Sequence, residues 1–259
     1  MPFGICLLSV VSCRKEPTNV SELVTQLLFG ETYLITEETE EWFKITVSDD
    51  GYQCWLNKKQ HNHLSDGVYH QIQKSKTSCN GDLVQVIKNK TLNTNIPITI
   101  GASLPLIKGH DLLFDSFHFS FDGNGVDTSI KNSPQKIIQT AYLFLNSPYL
   151  WGGKSPFGID CSGFTQLVYK LNGHKLPRDA SQQVELGQPL SFVEESEAGD
   201  LAFFDNEEGN ITHVGILIDS QSIIHASGQI RIDKFDHYGI FHSDRKKYSH
   251  NLRVIKRVL

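Results

Sequence analysis

The chain has 259 residues, of which 39% are apolar and 20% charged, with a formal net charge of −5. That length accommodates one large domain or two to three small ones. The acidic balance excludes the basic footprint of a nucleic-acid binder, and no stretch approaches the ~20 apolar residues of a membrane span.

In chain order, residues 1–13 end at a cysteine and faintly resemble a lipoprotein leader. They lack its positively charged start, and their β-branched run before Arg14-Lys15-Glu16-Pro17 reads as a first strand and turn. The first ~130 residues continue as short apolar or alternating runs, such as Thr32–Thr36, Trp42–Val47 and Tyr52–Leu56. Asp49-Asp50-Gly51, Asn80-Gly81-Asp82 and Asp122-Gly123-Asn124-Gly125 punctuate them as turns. Short strands at such spacing predict small barrels, about 60 residues each.

The pattern changes near Asn132. Ser133-Pro134 reads as an N-cap followed by proline at the first helical position, with Ile137, Ile138, Ala141, Tyr142, Phe144 and Leu145 at helical spacing up to Asn146-Ser147-Pro148. A second helix is expected from Cys161 or Ser162 to Asn172-Gly173, with Phe164, Leu167, Val168 and Leu171 as its buried stripe. Strands return at Leu201–Phe204, His213–Ile218 and Ser222–Ala226. Helices followed by strands give an α+β domain.

The five cysteines are Cys6, Cys13, Cys54, Cys79 and Cys161. They are odd in number and form no C-x-x-C, so neither a disulfide scaffold nor a zinc site is indicated, and a reducing compartment is favoured. His61-Asn62-His63 has no acidic or thiol partner at ligand spacing, so no metal is expected.

One cysteine has a different setting. Cys161 follows a glycine-rich loop (Gly152, Gly153, Gly158) and opens an apolar helix. A helix N-terminus favours the thiolate, lowering its pKa from about 8.5 toward neutrality, and Ser162 is placed to help cap. Such a nucleophile needs a base. Of eleven histidines, His213 opens one apolar strand and His225 ends the next, with the turn Asp219-Ser220-Gln221 midway between them. Antiparallel pairing would set them side by side, His213 to take the thiol proton and His225 to orient its ring. The plain alternative is a small buried cysteine and two unremarkable polar residues.

The stretches Tyr149-Leu150-Trp151-Gly152-Gly153, Gly158-Ile159-Asp160-Cys161-Ser162-Gly163-Phe164, Leu176-Pro177-Arg178-Asp179-Ala180-Ser181-Gln182-Gln183, Ala198–Phe204, His213-Val214-Gly215-Ile216 and Ile224-His225-Ala226 resemble, in order, the NlpC/P60 family of cell-wall cysteine peptidases. Thr25–Glu31, Trp42–Ile45 and Gly51–Leu56 are similar to the bacterial SH3-like barrels carried by one subgroup, with Cys54 where glycine is commoner. The resemblance implies two N-terminal SH3-like β-barrels (residues 1–63 and 64–128) and a papain-like α+β catalytic domain (129–259).

That subgroup is similar to the γ-D-glutamyl-diamino acid peptidases, so the implied substrate is a peptidoglycan stem peptide, L-Ala-γ-D-Glu-L-Lys or its meso-diaminopimelate analogue, with a free alanine amine. A free ammonium asks for a carboxylate in a closed pocket. The resemblance gives the catalytic role to Cys161, His213 and His225, and substrate binding to Glu22, Tyr52, Tyr149, Asp160, Ser162 and Ser181. A tyrosine hydroxyl with the Cys161 N–H would stabilise the oxyanion. Blander roles compete: Glu22 as a solvated turn residue, Tyr52 as packing beside Trp55, Trp151 as a wall of the site, and Arg178-Asp179 as an internal ion pair. No metal or organic cofactor is needed for this chemistry. Nothing in the sequence demands an oligomer, so a monomer is expected, and the free thiols and weak leader favour a cytoplasmic setting with the periplasm or export as the alternative. The rival readings are a cell-wall-binding module with an inactive lobe and a papain-like acyltransferase.

Overall fold

The computed structural model describes residues 2–243 and 245–259. It divides into two compact units, residues 1–130 with 151–156, and residues 131–150 with 157–259.

The first unit is built on antiparallel sheet. Among the described residues one sheet runs in the order Leu23–Leu28, Val10–Arg14, Gln53–Asn57, Trp42–Val47, Thr32–Glu38, Phe3–Ile5 and Asn62–Leu64. Alternate residues point inward, so Val11, Cys13, Leu27, Tyr33, Ile35, Ile45, Val47, Cys54 and Leu56 share one core. Cys54 belongs there as a small apolar side chain. The Asp49-Asp50-Gly51 turn forms as expected: Gly51 has φ +74°, and Asp50 accepts the Tyr52 N–H. A second sheet runs Thr94–Thr99, Val84–Asn89, Phe117–Phe121, Asp111–Phe114 and Ile107–Lys108, around Ile87, Ile98, Leu112, Phe119 and Phe121.

Sequence reading passed over one element in this half, the helix Asp66–Lys74. Its signals are Ser65, whose hydroxyl accepts the Val68 N–H, and Asp66 in the first turn. Gly67 and the lack of any buried residue hid it, although Tyr69 stacks on Phe3 with ring centroids 3.8 Å apart.

In the second unit the helix Pro134–Tyr142 starts where Ser133-Pro134 placed it. It stops at Tyr142, short of the expected Asn146-Ser147-Pro148, and Asn146 turns the chain with φ +66°. The helix Cys161–Leu171 is buried at every position except Lys170, including the expected stripe Phe164, Leu167, Val168 and Leu171. Against it packs an antiparallel sheet in the order Gln188–Pro189, Lys247–Arg257, Leu201–Asp205, Ile211–Asp219, Ser222–Ser227, Gln229–Asp236 and Gly239–His242. Gly239–His242 also pairs with Lys247–Arg257, so the sheet curls back on itself. The mapped hairpin strands are therefore the centre of a larger, closed sheet.

Candidate active site

Cys161 is the first residue of its helix. The cap is Asp160, whose Oδ1 accepts the Gly163 N–H at 2.7 Å; Ser162 donates to that carboxylate at 3.3 Å rather than capping the helix itself. Beneath it lies Arg178, about as buried as any side chain in the molecule at 1% exposure. Its guanidinium donates to Asp160 Oδ1 at 3.0 Å and Oδ2 at 2.6 Å, and to Ser162 Oγ at 2.9 Å. The internal ion pair suggested by Arg178-Asp179 is thus Arg178–Asp160, because only the planar fork reaches both carboxylate oxygens and the neighbouring hydroxyl. The fork locks the two residues that flank the nucleophile.

The backbone N–H of Val214, the residue after His213, lies close enough to the Cys161 sulfur to favour its thiolate. His213 Nε2 lies 2.8 Å from His225 Nδ1, both rings buried. The strands pair with Gly215, not His213, facing His225, because the turn is centred on Ser220-Gln221, with Asp219 opposite Ser222. The register shift between Leu217 and Asp219 makes the offset an even two residues, so both imidazoles still face one side of the sheet. Gly215 is needed there: a Cβ would come within 2.9 Å of His225 Cβ.

Electrostatics correct one expectation. Burial pushes the Cys161 thiol up to about 12, and neighbouring Asp160 adds to the rise, against the helping N–H of Val214. The helix N-terminus does not outweigh the loss of water around a charge. Burial likewise holds His213 well below the usual histidine value, with His225 and His250 nearby adding to it. Both shifts favour the neutral forms, thiol at Cys161 and uncharged imidazole at His213.

Tyr149 is half-buried, and its phenol is pushed up to about 12 by burial and by the proximity of Cys161 and Asp160. Its hydroxyl is therefore protonated, a donor beside the nucleophile. Ser181 is exposed on the short helix Ala180–Gln183. In the first unit, Glu22 accepts Trp151 Nε1–H at 2.8 Å and pairs with Lys15 at 3.2 Å, and these bonds hold its carboxyl below the usual range. Trp151 is thus a hydrogen-bond partner of Glu22. Tyr52 is half-buried against the first sheet's core.

Two residues escaped sequence reading. Asp233 Oδ2 lies 3.0 Å from His225 Nε2, and His250 stacks on His213. The turn at Gly228 was the available signal for Asp233: it pairs His225 with Arg231 and leaves Asp233 on the same face, one step along. The ring nitrogens of His213, His225 and His250 lie within 4.8 Å of one another, near enough to consider a metal. The geometry disfavours one. His213 and His225 bond each other, His225 bonds Asp233, and the rings of His213 and His250 are only 22° from parallel, so their in-plane lone pairs do not converge.

A buried cysteine at a helix start, held against a strand carrying an oriented imidazole, is the arrangement of a thiol hydrolase. Residues 146–247 match the model of the NlpC/P60 family, and residues 13–60 match that of the bacterial dipeptidyl-peptidase SH3 domain. The gamma-D-glutamyl-L-lysine dipeptidyl-peptidase of Bacillus subtilis (strain 168) is 34% identical over 218 residues, 78% of this chain and 71% of the relative. The protein of that name from Bacillus cereus (strain ATCC 10987) is 31% identical over 240 residues, 81% of this chain and 68% of the relative. A crystal structure of an NlpC/P60 family protein from Bacillus cereus ATCC 10987 superposes with a TM-score of 0.83 at 21% identity, covering 99% of both chains. The chain belongs to the NlpC/P60 family, and is a hydrolase of the peptidase class.

Proposed function

We propose that this chain cleaves the bond between γ-D-Glu and L-Lys or meso-diaminopimelate in peptidoglycan-derived peptides whose L-Ala amine is free. The observation that carries the chemistry is the 2.8 Å contact of His213 with His225, on a strand whose Val214 backbone lies beside the Cys161 sulfur. The names of the two Bacillus relatives support the substrate class.

In this reading Cys161 Sγ forms a bond to the γ-carbonyl carbon as its proton passes to His213. The imidazolium returns that proton to the leaving amine as the C–N bond breaks, and water then releases the acyl group. The Cys161 N–H, which has no partner within its own helix at this first position, and the Tyr149 hydroxyl are suited to the developing oxyanion. Ser181, exposed, and Tyr149 are proposed as contacts to the peptide, while Asp160 and Ser162 hold the ground under the nucleophile through Arg178. Glu22, kept ionised by its neighbours, and Tyr52 are proposed for the free ammonium. The two sheets of the first unit are read as two SH3-like barrels and the second unit as papain-like, in a monomer working in the cytoplasm.

Hydrolysis of L-Ala-γ-D-Glu-L-Lys is compared with that of its N-acetylated form. The free peptide is expected to be cleaved at least 100-fold faster, a difference of about 3 kcal/mol. Equal cleavage defeats the amine-recognition reading, and full activity of Cys161→Ala defeats the mechanism.

A further inference from the structure

The hydrogen-bonded chain does not stop at His225. His225 Nε2 meets Asp233 Oδ2 at 3.0 Å, and both side chains are almost wholly buried, at 1% and 3% exposure. Asp233 is in turn clamped by Arg231, whose Nε lies 2.7 Å from Oδ2 and whose Nη2 donates to Oδ1 at 2.8 Å. Arg231 sits opposite His225 in the strand register, and Nη1 reaches His242 Nε2 at 3.1 Å. The row is therefore His213, His225, Asp233, Arg231, with Cys161 beside it at the backbone of Val214, the residue after His213.

The chemistry of that row is directional. An ionised carboxylate only accepts, so His225 must carry its proton on Nε2. Its Nδ1 is then a bare acceptor, and the 2.8 Å contact with His213 requires a proton on His213 Nε2. The lone pair of His213 is left on Nδ1, the nitrogen that can take a thiol proton. We propose that Asp233 is a positioning residue of the reaction: by accepting from His225 it fixes the tautomer of both imidazoles and so makes His213 a base. This rests on the cysteine-peptidase reading above.

Arg231 has a second part in it. Burial alone would raise the Asp233 carboxyl, yet the bonds from His225 and Arg231 hold it below the usual range. Burial and the Arg231 charge keep His225 neutral, against the pull of Asp233. The row at rest holds two neutral imidazoles and one matched ion pair. The proton from Cys161 has one stopping place, His213, and does not run on toward Asp233.

The test is Asp233→Asn. Arg231 Nη2 donates to the Oδ1 position and favours the amide oxygen there, which leaves the amide NH₂ at the Oδ2 position facing His225 Nε2, at the cost of a donor-to-donor contact with Arg231 Nε. Both tautomers then invert, and His213 points an N–H at the sulfur. The tautomers are read by nitrogen-15 NMR of histidine-labelled protein, alongside kcat and KM on L-Ala-γ-D-Glu-L-Lys and the thermal midpoint. Wild type is expected to show Nε2–H at both His213 and His225. Asp233→Asn is expected to show Nδ1–H at both, with kcat down 10²–10⁴-fold, KM within threefold and little change in thermal midpoint. Asp233→Glu, which keeps the carboxylate, is expected to restore Nε2–H and at least a tenth of kcat.

Nδ1–H at His213 in the wild type overturns the proposal. So does a folded Asp233→Asn that keeps kcat within threefold, or that loses it with tautomers unchanged. Should Asp233→Asn not fold, the wild-type tautomers and the Asp233→Glu variant decide the matter. The wild-type spectrum needs no substrate, so a protein that fails to cleave the peptide but shows both Nε2 protons defeats the substrate reading and not this one.

Discussion

The imidazole of His250 lies over that of His213, ring centroids 4.2 Å apart and planes 22° from parallel. Phe204 also lies against the His213 ring, centroids 5.7 Å apart. Enclosed in this way, His213 is held well below the ordinary histidine value, first by burial and then by the charges His225 and His250 would carry. The base-competent form is the neutral one, present above its pKa. Activity therefore persists as pH falls through 6.5, and the acid limb of kcat/KM lies below that value. The measurement is a pH profile from 4 to 8. His250→Ala, which lets water reach the ring, is expected to move the limb upward toward 6.5. A wild-type limb at or above 6.5 contradicts this account.

The thiol of Cys161, pushed up to about 12 by burial and by Asp160, holds almost no thiolate at neutral pH. Alkylation by iodoacetamide, mapped to Cys161 by mass, is expected to be slower at pH 7 than that of a free thiol with a pKa of about 8.5. Its rate is expected to rise close to tenfold per pH unit from 7 to 10. A rate that levels off below pH 7 would reveal a preformed thiolate–imidazolium pair instead.

Gly215 and His225 face each other across the hairpin, and a methyl group at 215 would also meet Ile223 Cδ1 at 2.7 Å. Gly215→Ala is expected to displace the His225 backbone by a few tenths of an ångström. The predicted result is a 10–100-fold loss in kcat with little change in KM, and a stability cost of about 1–3 kcal/mol. Unchanged kcat in steady-state assay would show that the strand yields elsewhere.

Lys154 and Glu31 form a buried ion pair within the first unit, Nζ 3.1 and 3.2 Å from the two carboxylate oxygens at 5% and 2% exposure. The Lys154 N–H also donates to Gln26 Oε1 at 2.7 Å. Lys154→Met leaves Glu31 buried without its cation, the Leu28 N–H still donating to it. The expected loss is about 3–5 kcal/mol by denaturant unfolding. Pairing it with Glu31→Leu, which removes both charges, recovers most of that. A single variant within 1 kcal/mol of wild type would show that water reaches the pair.

The legible parts of the molecule were those whose signals are local. Pro134 at the first helical position and Asn172-Gly173 mark helix ends, although the Ser133 side chain makes no cap bond, and Leu201–Phe204 and Ser222–Ala226 read as strands from apolar runs alone. Cys161, His213 and His225 stand out because helix start, strand start and hairpin spacing converge on them. What stayed hidden depends on register and burial. Asp233 and His250 sit on strands whose pairing must be known before either can be placed beside an imidazole. The helix Asp66–Lys74 buries nothing and so shows little periodic stripe. The Cys161 thiol was misjudged because a helix terminus is visible in sequence, whereas the exclusion of water is not.

The six residues 151–156 fall within the first unit although the chain on either side of them belongs to the second. The polypeptide thus passes from one unit to the other at 130/131, 150/151 and again at 156/157. Severing a single peptide bond at the first of these frees neither half. A truncated gene beginning at Lys131 would still encode Lys154, now without the acid it was matched to, so dissecting this molecule means engineering a loop as well as choosing an end.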